Sequence, residues 1–216
     1  MTIDPFTIAL AVFGSALGFG ADALAHRWPA HEEDHRPRAR FDWRTAVVVV
    51  VGALAFGALG ATFGGDLVAL VVYVPAFAVL LALLATDLDQ RLLPDVLTLP
   101  LIVFAAAVLA LGISPGLAGK EFGTISGLAA AVIVPVLLLA MDRLIGGDLG
   151  FGDVKLSISL GLFFGLSALF YGLVMASLGF ALVLILLIAL RRITLKSAIP
   201  FGPVLIFAAF IAALAA

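Results

Sequence analysis

The sequence predicts an all-α fold, a polytopic bundle of about eight transmembrane helices. Of its 216 residues, 64% are hydrophobic and only 12% are charged, whereas a soluble domain is nearer half apolar and a quarter charged. The apolar residues form long runs, many near the roughly 20 residues that a helix needs to cross a bilayer. Because these runs are continuous rather than alternating, helices are favoured over a β-barrel.

The apolar runs define the predicted helices in order along the chain. The first run lacks the basic start of a cleaved signal peptide and carries two aspartates, so it is predicted to be a retained helix. The sixth run, Leu156–Leu190, is too long for one straight span, and a break at Gly165 would divide it into two helices. Without that division the count is seven. The runs are Pro5–Ala25, Thr45–Phe63, Leu67–Thr86, Val96–Ile113, Phe122–Met141, Leu156–Leu190 and Ile199–Ala216.

These runs divide the chain into a first transmembrane helix (residues 1–25), a short Arg-rich linker (26–44) and a transmembrane core (45–216). Counted over alternating spans, every Lys and Arg except Lys120 falls on one side, which the positive-inside rule makes cytoplasmic. This bias supports the eighth crossing, since one crossing fewer would leave the basic residues at 191–196 outside. Both ends of the chain are then expected to face outward.

Two polar stretches interrupt the apolar pattern, at residues 87–95 and 150–155. Each places an aspartate at the edge of an apolar run, where a carboxylate is costly and therefore suggests a functional site. Asp87 is predicted at the cytoplasmic end of the third helix and Asp153 just before the sixth, at one depth on one side. Two neighbouring carboxylates cannot both ionise easily, so such a pair shares a proton, as in aspartic proteases.

Composition excludes several other kinds of chemistry. The chain contains no cysteine, which removes disulfides, thiolate catalysis, iron–sulfur clusters and cysteine-based zinc sites. The net charge is −2, and the absence of a large basic patch argues against a nucleic-acid partner.

The linker contains a competing motif, because residues 31–35 fit the His-Glu-x-x-His pattern of zinc metalloproteases. His31 and His35 would bind the metal and Glu32 would act as the base. The segment is strongly polar and lies between Pro29 and Pro37, so a solvated charge cluster is the favoured interpretation.

The polar stretches resemble the signatures of type IV prepilin peptidases. Asp87 precedes Pro94-Asp95 by the spacing of the first signature, and residues 150–155 match its Gly-x-Gly-Asp-x-Lys. Two further segments also resemble family motifs: His26-Arg27-Trp28-Pro29, with Asp22 where an asparagine is usual, and Pro200-Phe201-Gly202-Pro203.

The resemblance implies a membrane aspartic endopeptidase with Asp87 and Asp153 as the catalytic pair and no cofactor. It would cleave the basic leader of type IV prepilins or pseudopilins at the cytoplasmic face of the bacterial inner membrane, in contact with lipid. The linker is too short and lacks the Cys-x-x-Cys motifs of the domain associated with N-methylation, so methylation is not expected. A non-catalytic membrane subunit of a pilus or secretion system is the alternative.

The two aspartates are expected to divide the work of hydrolysis. The ionised carboxylate takes a proton from water while the protonated one polarises the scissile carbonyl. A helix start favours an anion and a helix end disfavours it, so Asp153 is preferred as the base and Asp87 as the acid. The pair titrates as a unit, which leaves the assignment a preference.

The remaining polar residues are given supporting roles. Gly150 and Gly152 are expected to allow close backbone approach and unusual dihedral angles, and Pro94 to stop the helix after Asp87. Lys155 is either a cation at the lipid headgroup level or a partner for a carboxylate. Three further aspartates are expected to be solvated charges, caps or contacts to the basic leader: Asp89, Asp95 and Asp148.

Overall fold

The computed structural model describes residues 4–28, 41–145, 149–191 and 201–215, and within these ranges the chain is helical without strands. Five of the helices are long and apolar enough to cross a membrane, and two are shorter but equally apolar. The predicted polytopic helical bundle is therefore confirmed. The helices are α1 (Pro5–Ala25), α2 (Trp43–Phe63), α3 (Leu67–Gln90), α4 (Asp95–Ala110), α5 (Gly123–Ile145), α6 (Phe151–Ala189) and α7 (Gly202–Ala215).

Aspartates begin two of these helices. The Asp42 carboxylate accepts hydrogen bonds from the N–H groups of Arg44 and Thr45, and the Thr45 hydroxyl accepts one from the Asp42 N–H. This reciprocal capping box satisfies donors that the first turn of α2 would leave unpaired. Asp66 caps α3 with a single hydrogen bond, which its carboxylate accepts from the Ala69 N–H at 3.0 Å.

Helix α3 continues past the predicted boundary at Thr86 and ends at Gln90. Arg91 stops it by adopting the left-handed conformation (φ 54°, ψ 40°), with its N–H donating to the Asp87 carbonyl at 2.8 Å. Pro94, which was expected to stop this helix, instead occupies the N-cap position of α4. Both Asp87 and Asp89 consequently belong to the last turn of α3 rather than to a loop.

Helix α6 is interrupted at Gly165, whose backbone is non-helical (φ 68°, ψ −175°). The segment 151–164 begins beside the loop that follows α3, where Gly152 packs against Leu93. It ends beside the start of α5. There the N–H of Leu166 donates to the hydroxyl of Ser126 at 3.0 Å. The predicted break at Gly165 is confirmed.

After Gly165 the chain turns back toward the end of the bundle at which α6 begins. Gly172 packs against Ala208, whereas Ala176, further along α6, clusters with Val204 and Ala208. Later residues of α6 thus meet earlier residues of α7, so segment 166–189 is antiparallel to α7. With this reversal, the described ranges contain eight helical segments.

The core forms around α3, which contacts α1, α2, α4 and α7. Tyr73 and Phe77 are fully buried and form ring contacts with Phe56 from α2, Phe164 from α6 and Phe210 from α7. Large apolar side chains on the outer faces are exposed, as expected of surfaces that face lipid. The packed interior fixes where the C-terminal turn of α3 lies.

Candidate active site

Asp87 lies in the last turn of α3 and is 5% exposed. Its carboxylate packs against the first residue of α7: a Cβ built on Gly202 would lie 2.9 Å from Cγ of Asp87 and 3.0 Å from each of its oxygens. The Oδ2 atom of Asp87 is buried and has no hydrogen-bond partner within the described part of the chain.

Asp153 lies in the first turn of α6 and is 9% exposed. Its N–H donates to the Gly150 carbonyl at 3.0 Å. The Oδ1 atom is buried without a hydrogen-bond partner among the described groups. Asp153 therefore retains one oxygen for another molecule.

The structure brings the two aspartates together at one end of the bundle. They are close enough for the charge of Asp153 to act on Asp87, although 66 positions separate them in sequence. Two buried carboxylates, each with one unused oxygen, form an arrangement that can hold one proton between them and act on water. Their catalytic role stays a prediction.

A tight contact joins the two polar stretches. A Cβ on Gly152 would lie 2.6 Å from Cβ and 3.0 Å from the carbonyl oxygen of Leu93, so only glycine lets α6 begin against this loop. Gly150 has ordinary extended dihedrals (φ −68°, ψ 138°), and a Cβ there would lie 3.4 Å from Asp153. Close approach is thus observed at Gly152. The expectation of unusual dihedrals is wrong for both, since neither has a positive φ.

An ion pair joins the same two stretches at the surface. The Nζ atom of Lys155 lies 2.6 Å from Oδ1 of Asp95, with the two side chains 30% and 59% exposed. Asp95 also stands in the first turn of α4, where an anion is favoured by the helix dipole. Lys155 therefore pairs with a carboxylate, one of the two roles predicted for it.

Asp89 corrects the sequence interpretation. Its side chain is fully buried, and Oδ1 accepts a hydrogen bond from Nη1 of Arg44 at 2.7 Å. A solvated loop charge is therefore wrong for Asp89, and burial also removes it from the candidate contacts to a leader peptide. Asp95 remains exposed, and Asp148 lies outside the described residues.

Two residues near the pair received no role from the sequence. Arg44 reaches Asp89 across 45 positions, and no local pattern signals such a contact. Gly202 stood within a recognised motif, but only its position against Asp87 shows what it touches. Asp87 lies at the C-terminal end of α3, where the helix dipole disfavours an anion, but it also faces the N-terminal end of α7, where the dipole favours one. The contact with Gly202 therefore weakens the dipole-based preference for Asp87 as the acid.

Within the described ranges, no three His, Asp or Glu side chains lie close enough together to hold a metal ion. The motif formed by His31, Glu32 and His35 lies outside those ranges.

Comparison with known proteins places these features in a family. A model of the type IV leader peptidase family matches residues 74–216. The chain belongs to this family. The match to the leader peptidase family includes Asp87, Asp153 and Gly202, and it covers α4 to α7 with most of α3. No solved structure matches the chain.

Curated relatives carry the name prepilin leader peptidase/N-methyltransferase. One from Aeromonas hydrophila is 39% identical over 137 residues, covering 63% of this chain and 46% of the relative. One from Burkholderia pseudomallei (strain K96243) is 36% identical, covering 71% and 48%, and one from Pseudomonas putida is 33% identical, covering 82% and 60%. The chain spans about half the length of the curated relatives it matches.

Proposed function

We propose that this chain is an aspartic endopeptidase that removes the basic leader from type IV prepilins or pseudopilins. One observation carries the proposal: Asp87 and Asp153 are buried at the same end of the bundle, where Gly152 packs against Leu93, and each retains one oxygen without a hydrogen-bond partner among the described residues. Membership of the leader peptidase family supports the substrate class.

The proposed reaction uses the two carboxyl groups and one water molecule. The ionised carboxylate accepts a proton from water as the water oxygen attacks the scissile carbonyl carbon. The protonated carboxyl group donates its proton to the carbonyl oxygen. The tetrahedral intermediate then collapses and the C–N bond breaks. The first carboxyl group gives its proton to the departing amine, while one hydroxyl of the intermediate returns its proton to the second carboxylate as the product carboxylic acid forms. The pair again holds one proton at the end of the cycle.

The proposed site opens to the cytoplasm, because the basic residues of the sequence cluster on the side where α3 ends. Asp95 at the start of α4 is 59% exposed, so a basic leader could compete with Lys155 for its carboxylate. We propose cleavage without methylation, because the segment between α1 and α2 contains no cysteine.

The test is cleavage of a candidate prepilin by the purified protein in detergent or proteoliposomes. Asp87→Asn and Asp153→Asn each preserve side-chain shape but remove an acid–base group, so each is expected to lower kcat by about 100-fold or more. Asp66→Asn, at the opposite end of α3, is the matched control and is expected to retain cleavage. Retained cleavage in either site variant overturns the mechanism. A wild-type protein that cleaves no prepilin would favour the non-catalytic subunit.

A further inference from the structure

We propose that Gly202 is a positioning residue that holds the Asp87 carboxylate toward Asp153. The absence of a side chain at Gly202 leaves the space that this carboxylate occupies at the start of α7. The inference rests on the proposed function, because it assigns the residue that orients one member of the catalytic pair.

The contact is between the start of α7 and the reactive end of Asp87. A Cβ at position 202 would lie 2.9 Å from Cγ and 3.0 Å from both carboxylate oxygens, closer than real Cβ atoms approach or at that limit. All three atoms of the carboxylate thus lie against Gly202. Asp87 is more than nine-tenths buried, and its Oδ2 has no partner among the described groups.

Helix α7 cannot easily retreat to make room for a larger residue. Leu205, Ile206 and Ala209 are completely buried, and the ring of Phe210 lies 4.7 Å from that of Phe77 on α3. Close packing makes such interfaces resistant to displacement. A methyl group at position 202 is therefore expected to move the free end of Asp87 rather than the helix.

This distinguishes Gly202 from the other tightly packed glycines. A Cβ on Gly152 would meet the backbone of Leu93, and one on Gly172 would meet the carbonyl of Ala208. In those two places a main chain has to shift. At Gly202 the obstacle is the end of a side chain, which can rotate. Gly202→Ala should therefore leave the bundle folded, although less stable, while misplacing the carboxylate.

The expected consequence is a change in kcat rather than KM. A displacement of about 1 Å at reacting groups can lower the rate by about 100-fold. Contacts that bind the substrate away from the reacting atoms remain in place, so KM is expected to stay near the wild-type value.

Kinetics with a prepilin substrate test the inference, using Gly202→Ala beside two controls. Gly179→Ala places a methyl group where nothing lies within 4 Å and should match the wild type. Gly172→Ala disturbs the packing of α7 without touching Asp87, so any loss of cleavage in this variant should be proportional to its loss of folded protein. We expect kcat to fall about 100-fold in Gly202→Ala alone. Wild-type kcat in Gly202→Ala overturns the inference.

A double-mutant cycle on thermal unfolding tests the contact without relying on activity. Asp87→Ala removes the carboxylate that the new methyl group would meet. Gly202→Ala is therefore expected to lower the unfolding temperature in the wild type but much less in the Asp87→Ala background. The same decrease in both backgrounds overturns the inference. Should Gly202→Ala alone fail to fold, recovery of folded protein in the double variant supports it.

The two proposals fail in different ways. Cleavage retained by Asp87→Asn contradicts the proposed function. Cleavage lost in Asp87→Asn but unchanged in Gly202→Ala contradicts only the positioning role.

Discussion

The guanidinium of Arg44 on α2 donates a hydrogen bond to the carboxylate of Asp89 on α3 across 2.7 Å, and the side chain of Asp89 is fully shielded from solvent. Asp89 lies two residues after Asp87. The ion pair therefore joins the start of α2 to the turn of α3 that carries one of the proposed catalytic groups.

Arg44→Met is expected to destabilise the protein, because it removes the cation that donates a hydrogen bond to the buried carboxylate of Asp89. Removing one partner of a buried ion pair costs about 3–5 kcal/mol. Denaturant or thermal unfolding in detergent measures the effect. Arg44→Lys keeps a charge and should recover part of the loss. A variant with wild-type stability would contradict this role for the pair.

The pair formed by Lys155 and Asp95 is expected to contribute little to stability. Both groups are partly exposed, and such pairs are worth roughly 0–1 kcal/mol. Lys155→Met should therefore change the free energy of unfolding far less than Arg44→Met does in the same assay. The exchange Lys155→Asp with Asp95→Lys should restore what either single change loses. A loss of several kcal/mol from Lys155→Met would disagree with this expectation.

Gly152→Ala and Gly150→Ala are expected to differ sharply, although they lie two residues apart in one motif. The methyl group at 152 meets the backbone of Leu93, so α6 or the loop has to move, at a cost of about 1–3 kcal/mol. At 150 the backbone is extended and the nearest atom is 3.4 Å away. Unfolding and cleavage assays on both variants compare them directly, and equal effects would contradict the structure.

Gly165→Ala is expected to destabilise the reversal within α6. Alanine is strained at φ 68°, and its methyl group would lie 2.6 Å from the Ser126 hydroxyl, so a cost of about 1–3 kcal/mol is expected. Gly179→Ala, in an open part of the same helix, is the matched control and should be neutral. If the two variants unfold at the same temperature, the break does not depend on glycine.

Much of the fold could be predicted from the sequence, because long apolar runs have few alternatives to a membrane helix. The break at Gly165 was predictable for the same reason, since the run around it exceeds one span. Helix ends were less predictable. Helix α3 extends past Thr86, and its last turn packs against α7 through Asp87 and against α2 through Asp89. These contacts exist only in the packed bundle and leave no local signal in the sequence.

By itself, the sequence determined that the chain is a multi-pass bundle of apolar helices and that Asp87 and Asp153 stand at the margins of apolar runs. It also carried the family resemblance. Only the tertiary structure decided that Asp89 is buried against Arg44 and that Gly202 lies against Asp87. The physical reason is that a helix apolar on every side has no preferred face in its sequence. Its rotation, and hence its side-chain partners, is set by packing against helices distant along the chain.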